Sequence, residues 1–310
     1  MALPTPERAT GQATAADAVP RAGSPTTVAT KPPSRAARRP RWPRPARDGR
    51  RAPLALTVPA TVAVVFLLLP LLGLLLRAPW GKLPTLLADP KVLTALRLSL
   101  VSATLATVAS LIFGVPLAWV LARSRWRIVR VLRTLVTLPL VLPPIVGGVA
   151  LLFALGRRGV AGQYLDTWFG ISLPFTTAAV VIAETFVAMP FLVVTVEGGL
   201  ASVDAGLEDA AATLGAGPFT IFRRVTLPLI GPSLVAGSVL CWARALGEFG
   251  ATITFAGNYP GTTQTMPLAV YLTLESDPDA AIALSLVLLA VSVAALLLMR
   301  DRWLRPGARR

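Results

Sequence analysis

Residues 208–229 read EDAAATLGAGPFTIFRRVTLPL. Two acids, a run of small residues, two glycines and a pair of arginines separate two long apolar stretches, at 176–196 and 232–254. An interlude of this length between such stretches marks a chain that leaves a bilayer and returns to it. Its residue types predict a helical hairpin over about 204–226. Asp204 is placed to cap a first helix, on which Leu207, Ala210, Ala211 and Leu214 recur at i, i+3, i+4 and i+7. Gly215 stands where a helix ends in positive φ, and Gly217-Pro218 restarts the chain with proline in the first turn. Phe219 and Phe222 give the second helix an apolar side, and Leu227-Pro228 leads into the next apolar stretch. Such a hairpin can pack against its own bundle. It can equally offer a small-residue face, with Glu208 and Asp209, to the basic groups or helix ends of a partner.

The surrounding chain is membrane-like. Of 310 residues 54% are hydrophobic and 15% charged, against about a quarter charged in soluble domains, and the mean hydropathy is +0.67. Six stretches, 54–76, 96–121, 133–155, 176–196, 232–254 and 280–299, each approach the roughly 20 helical residues needed to cross a core of about 30 Å. They are continuous rather than alternating, so helices are the spanning form. The predicted fold is therefore all-α and polytopic, with six transmembrane helices. Four regions follow: a disordered basic tail over 1–52, a first span and external loop over 53–91, the main transmembrane domain over 92–300, and a short basic tail over 301–310. Of the 30 Lys and Arg, 23 lie on the side of the N-terminus and six on the other, with Arg244 inside a span. The positive-inside rule then puts both termini and the 208–229 stretch in the cytoplasm.

Several function classes drop out. The formal net charge of +15 is concentrated in a tail and in loops flanking apolar runs, which is a topology signal and no reason to infer nucleic-acid binding. The basic tail can also touch anionic headgroups. There is no histidine and one cysteine, Cys241, so histidine-dependent metal sites and intrachain disulfides are impossible. Cys241 reads as a small packing residue. The only Gly-Lys pair, Gly81-Lys82, is followed by leucine, so no phosphate-binding loop is present. No catalytic residue, metal site or cofactor is assigned to the chain.

The 208–229 stretch resembles the cytoplasmic signature of ABC importer permeases: glutamate-Ala-Ala, three residues, Gly, nine residues, Ile-x-Leu-Pro. The matching positions are Asp209, Ala210, Ala211, Gly215, Val225, Leu227 and Pro228, with two conservative departures, Asp for Glu and Val for Ile. Glu208 is placed to share or replace the acidic role. Over about 92–300 the chain is most similar to molybdate permeases of the type I importer fold, with sulfate and tungstate permeases as relatives. LPLVLPPIVGG (138–148), GRRGVAG (156–162), ARALGEFGATITFAGN (243–258) and PGTTQTMPLAVYLTLES (260–276) carry that similarity. The resemblance implies a permease subunit of an ATP-driven oxyanion importer in a bacterial plasma membrane. It implies a coupling loop, including Glu208, Asp209, Ala210, Ala211, Leu214, Gly215, Leu227 and Pro228, that docks on a separate ATP-binding subunit, where ATP and Mg are used. An extracytoplasmic oxyanion-binding protein and a permease homodimer are implied with it. A secondary transporter driven by an ion gradient, with Glu184 and Glu248 as proton carriers, is the reading from another class.

Within the spans, ionisable residues need a reason. Arg244 and Glu248 are four apart and can pair, or Glu184 can reach Arg244 from the neighbouring helix. Arg244 can bias a pathway toward a dianion, or the pair can simply hold the bundle together. Pro139, Pro143 and Pro144 remove backbone donors from the third stretch, beside Gly147 and Gly148, so a bent helix lining a pathway or a static kink is expected there. Gly247 and Gly250 flank Glu248 and allow close helix contact near a gate.

Overall fold

The computed structural model describes residues 54–124 and 126–303. The expectations for 1–52 and for the final basic residues 304–310 lie outside that range. The chain divides into Met1–Thr57 and Val58–Arg310, and the architecture below belongs to the second unit.

The described residues are helical, with no strand among them. In order they are α1 (Leu54–Leu76), α2 (Leu83–Leu87), α3 (Pro90–Arg123), α4 (Arg127–Val141), α5 (Pro144–Leu155), α6 (Gly162–Phe169) and α7 (Thr177–Ala201). There follow α8 (Ala205–Thr213), α9 (Pro218–Ile221), a π-helical turn at Phe222–Thr226, α10 (Leu227–Leu229), α11 (Gly231–Leu246), α12 (Gly250–Phe255), α13 (Met266–Ser276) and α14 (Pro278–Trp303). Four helices are long and apolar enough to cross a membrane unbroken. Two bent pairs, α4 with α5 and the α9–α10 run with α11, bring the number to as many as six where each pair is counted as one broken span.

The core is built around α3, a rod of 34 residues and therefore about 50 Å long. One of its sides carries small residues, with Ala95, Ser99, Ser102, Ala103, Ala106, Thr107, Ser110, Gly114 and Ala118 all buried. In lipid the apolar effect does not drive helices together, so a small-residue face that allows close van der Waals packing does that work. Against it lie α7 and α11, whose Leu192, Val193, Val196, Cys241 and Ala245 complete one cluster. Cys241 is a buried packing residue, as expected. A second cluster joins α5, α7 and α12 through Leu151, Val180, Ala183, Ala251 and Phe255. By contrast α1 exposes apolar side chains on every side, as suits a helix surrounded by acyl chains.

In three stretches the structure adds to the sequence reading, which expected a bend or kink at Pro143-Pro144. The stretch 133–155 is not one helix: α4 stops at Val141 and α5 leaves at 119° to it. Pro143 and Pro144 supply no amide hydrogens, so the hydrogen-bond ladder cannot run through them. The stretch 232–254 is likewise interrupted, since α11 ends at Leu246 and α12 begins at Gly250. The segment before α14 contains the eleven-residue α13. Its first amide, Met266 N, donates to Ser99 Oγ of α3 at 2.7 Å.

Candidate functional site

The hairpin forms from local chemistry. Asp204 caps α8, its side chain accepting from Gly206 N at 2.9 Å, and Gly215 turns the chain at φ +83°. Pro218 then opens α9. A π turn follows, in which Leu227 N reaches back to Phe222 O, and Pro228 next to it has no amide to donate to the Arg224 carbonyl. Leu207, Leu214 and Phe219 are exposed, at 49%, 89% and 75%, and Ala210 is exposed beside them, with Ala211 half-buried. The small apolar face is therefore not packed against the chain's own bundle.

The two acids part company. Asp209 is exposed and has no hydrogen bond or ion pair among the described residues. Glu208 Oε1 accepts from Arg123 Nη2 of α3 and from Thr226 Oγ1 of the π turn, both at 2.7 Å. Glu208 is thus engaged within the chain, where the sequence left open which of the two acids meets a partner. The end of α3 is tied again where Arg133 of α4 donates to Leu121 O at 3.1 Å and pairs with Glu197 of α7 at 2.5 Å.

A second group of functional candidates gathers where the two broken stretches meet. Glu248 sits in the gap between α11 and α12, 1% exposed. Its Oε1 accepts from Ala251 N at 2.8 Å, and its Oε2 lies 2.6 Å from Arg244 Nη1. That second contact is a close ion pair without hydrogen-bond alignment. Arg244, in the last turn of α11, also complements the carbonyl end of that helix. Gly250 lies against Pro144 and Ile145 N, and Gly148 against the Ala251 backbone. The break at Pro143-Pro144 and the break around Glu248 therefore rest on one another. Of the two pairings left open for Arg244, the structure shows the one with Glu248, and Glu184 does not bridge to it. It is buried on α7 and its Oε1 accepts from Ser102 Oγ of α3 at 2.8 Å, while its Oε2 has no hydrogen-bond partner among the described residues.

The partners missed from sequence are Ser102, Arg123, Thr226, Arg133 and Glu197. A small, partly polar stripe at helical spacing along α3 was the available signal for Ser102. Nothing local pointed to the others. No group of three or more Cys, Asp and Glu arranged to hold a metal occurs among the described residues.

A profile of binding-protein-dependent transport system inner membrane components matches residues 111–307. The chain belongs to that family. This permease-family chain is 52% identical over 240 residues to a molybdenum transport system permease protein of Mycobacterium bovis, covering 77% of the chain and 90% of the relative. A sulfate transport system permease protein of Salmonella typhimurium is 35% identical over 249 residues, covering 79% of the chain and 90% of the relative. Among solved structures, a bacterial alginate ABC transporter bound to its pentasaccharide-loaded periplasmic protein superposes with a TM-score of 0.64 at 19% identity. That likeness covers 82% of this chain and 95% of the other, and it carries the fold alone, the type I importer architecture; the family match and the apolar helices make the chain a multi-pass inner-membrane permease.

Proposed function

We infer that this chain is the membrane permease subunit of an ATP-driven importer of molybdate. The observation that carries the reading is the 52% identity, over nearly the whole of the relative, to a molybdenum transport permease. The 35% identity to a sulfate permease is markedly lower. Energy comes from a separate ATP-binding subunit, which uses ATP and Mg, because the sequence has no phosphate-binding loop. The exposed hairpin face of Leu207, Ala210, Leu214 and Phe219, with Asp209 on the same helix as Leu207 and Ala210, supports its role as the docking element for that subunit. Both termini and the hairpin are then cytoplasmic, in keeping with the Lys and Arg distribution. An extracytoplasmic binding protein delivers the ion, and two copies of the permease enclose one pathway.

Alternating access needs helices that can change their angle without losing a buried ladder. The paired breaks at Pro143-Pro144 and around Glu248 supply such points. At 2.6 Å from Glu248, the charge of Arg244 is balanced, so this part of the pathway does not hold a dianion tightly and lets it leave. Recognition then rests with the binding protein.

The test is uptake into proteoliposomes holding the permease, the ATP-binding subunit and the binding protein. Molybdate uptake is expected to require ATP, with tungstate competing more strongly than sulfate. Uptake that survives ATP removal and collapses with the proton gradient would mean a secondary transporter. Preferential uptake of sulfate would reassign the cargo.

A further inference from the structure

The adjacent acids Glu208 and Asp209 look equivalent in sequence and are not equivalent in space. We propose that they divide the work of the hairpin: Asp209 meets the ATP-binding subunit, and Glu208 is a strut that carries displacement of the hairpin into α3. The part assigned to Asp209 rests on the permease reading above.

Glu208 lies on α8, which packs on α9 and on the π turn. A single carboxylate oxygen of Glu208 joins three elements, α8, the π turn through Thr226, and the end of α3 through Arg123, 85 residues away in sequence. Both bonds are 2.7 Å and partly buried, and one is charge-assisted, which makes it both strong and directional. Thr226 itself is 1% exposed. From there the linkage continues in contact. Arg133 of α4 grips Leu121 O of α3 and Glu197 of α7, and α4 leads directly to the break at Pro143-Pro144. Gly250 and Gly148 then join that break to the one around Glu248. Pulling the hairpin therefore pulls the end of α3, and both hinge points stand on elements strapped to it. A flexible polar loop would dissipate the same movement.

The experiment uses the full complex in proteoliposomes and reads three quantities: co-purification with the ATP-binding subunit, ATP hydrolysis, and molybdate imported per ATP. Glu208→Gln is expected to assemble and hydrolyse ATP while the molybdate-to-ATP ratio falls about tenfold, the scale of a lost coupling contact. The exchange Arg123→Glu with Glu208→Arg is expected to bring the ratio back to within about twofold of the parent. Asp209→Asn is expected to weaken assembly instead. If Glu208→Gln does not accumulate, Thr226→Val removes only the second bond to the same oxygen and is expected to lower the ratio. An unchanged ratio in either variant overturns the strut, as does a charge exchange that assembles without recovering coupling. Lost assembly in Glu208→Gln with intact assembly in Asp209→Asn reverses the two roles. A parent complex with no ATP-driven uptake would strike the permease reading itself, whatever the variants do.

Discussion

Replacing Gly148 by alanine tests the contact between the two breaks. A methyl group at Gly148 would stand 2.7 Å from Ala251 O and 2.8 Å from Ala251 Cα, and would run into Thr254 Oγ1. Carbon atoms pack at about 3.5–4.0 Å, so α5 and α12 must separate by about 1 Å. Two of the three obstacles are backbone atoms, which no rotamer change can move aside. The cost falls at the upper end of the usual range for overpacking, about 3 kcal/mol. Alanine returns about 0.5–1 kcal/mol relative to glycine inside a helix, which leaves a net loss of about 2 kcal/mol. At about 2 °C per kcal/mol for a chain of this size, the midpoint of thermal unfolding in detergent should fall by about 4 °C. Two neighbours calibrate the measurement. At Gly147 the new methyl meets side chains alone, tightest the Phe186 ring at 3.1 Å, with Leu142 Cδ2 at an ordinary 3.9 Å, and a ring edge can pivot away, so the loss should stay below about 1 kcal/mol. Gly198 has nothing within 4 Å, and Gly198→Ala should stabilise by about 0.5–1 kcal/mol. If Gly148→Ala melts with Gly147→Ala, the two breaks do not rest on one another and the account of a joined hinge is wrong.

Three further outcomes are expected. Arg244→Gln leaves Glu248 Oε2 buried beside no cation and should cost about 3 kcal/mol, while adding Glu248→Gln should recover part of it; a double variant no more stable than the single one, by thermal unfolding, would dissolve the pair as a unit. Ser99→Ala removes the acceptor for Met266 N, so the first turn of α13 should lose protection in hydrogen exchange, at a cost of about 1–3 kcal/mol for an orphaned buried amide. Asp204→Ala should cost about 1 kcal/mol as a lost helix cap, read as faster exchange at Gly206 with the rest of the bundle unchanged.

What could be read from sequence was governed by chemistry within one helical turn. The Asp204 cap, the positive φ of Gly215 and the restart at Pro218 each depend on a residue and its near neighbours, and all three stand in the structure. The prolines at 143 and 144 announce a break because they lack donors. The 119° at that break depends on what α5 packs against, which is α12, a hundred residues further on. Arg244 and Glu248 pair as their spacing suggests, yet for a different reason: the helix that was to carry both ends between them, and Glu248 is fixed by capping the next one. Glu184 shows the limit most plainly. Its partner, Ser102, is set by the register of α3 against α7, and the small-residue face of α3 would accept several registers.

The two acids of the hairpin combine both cases. Adjacent residues on an α-helix point about 100° apart, so Glu208 and Asp209 were never able to face one partner equally. That constraint is present in the sequence alone. The choice between them is made elsewhere, by an arginine at the far end of α3 and a threonine in the π turn. The family signature places its acid at Asp209, and the fold leaves that residue exposed by engaging its neighbour. A second acid next to the signature therefore need not be a spare copy of the first. Here it has the geometry to connect the hairpin to the end of α3.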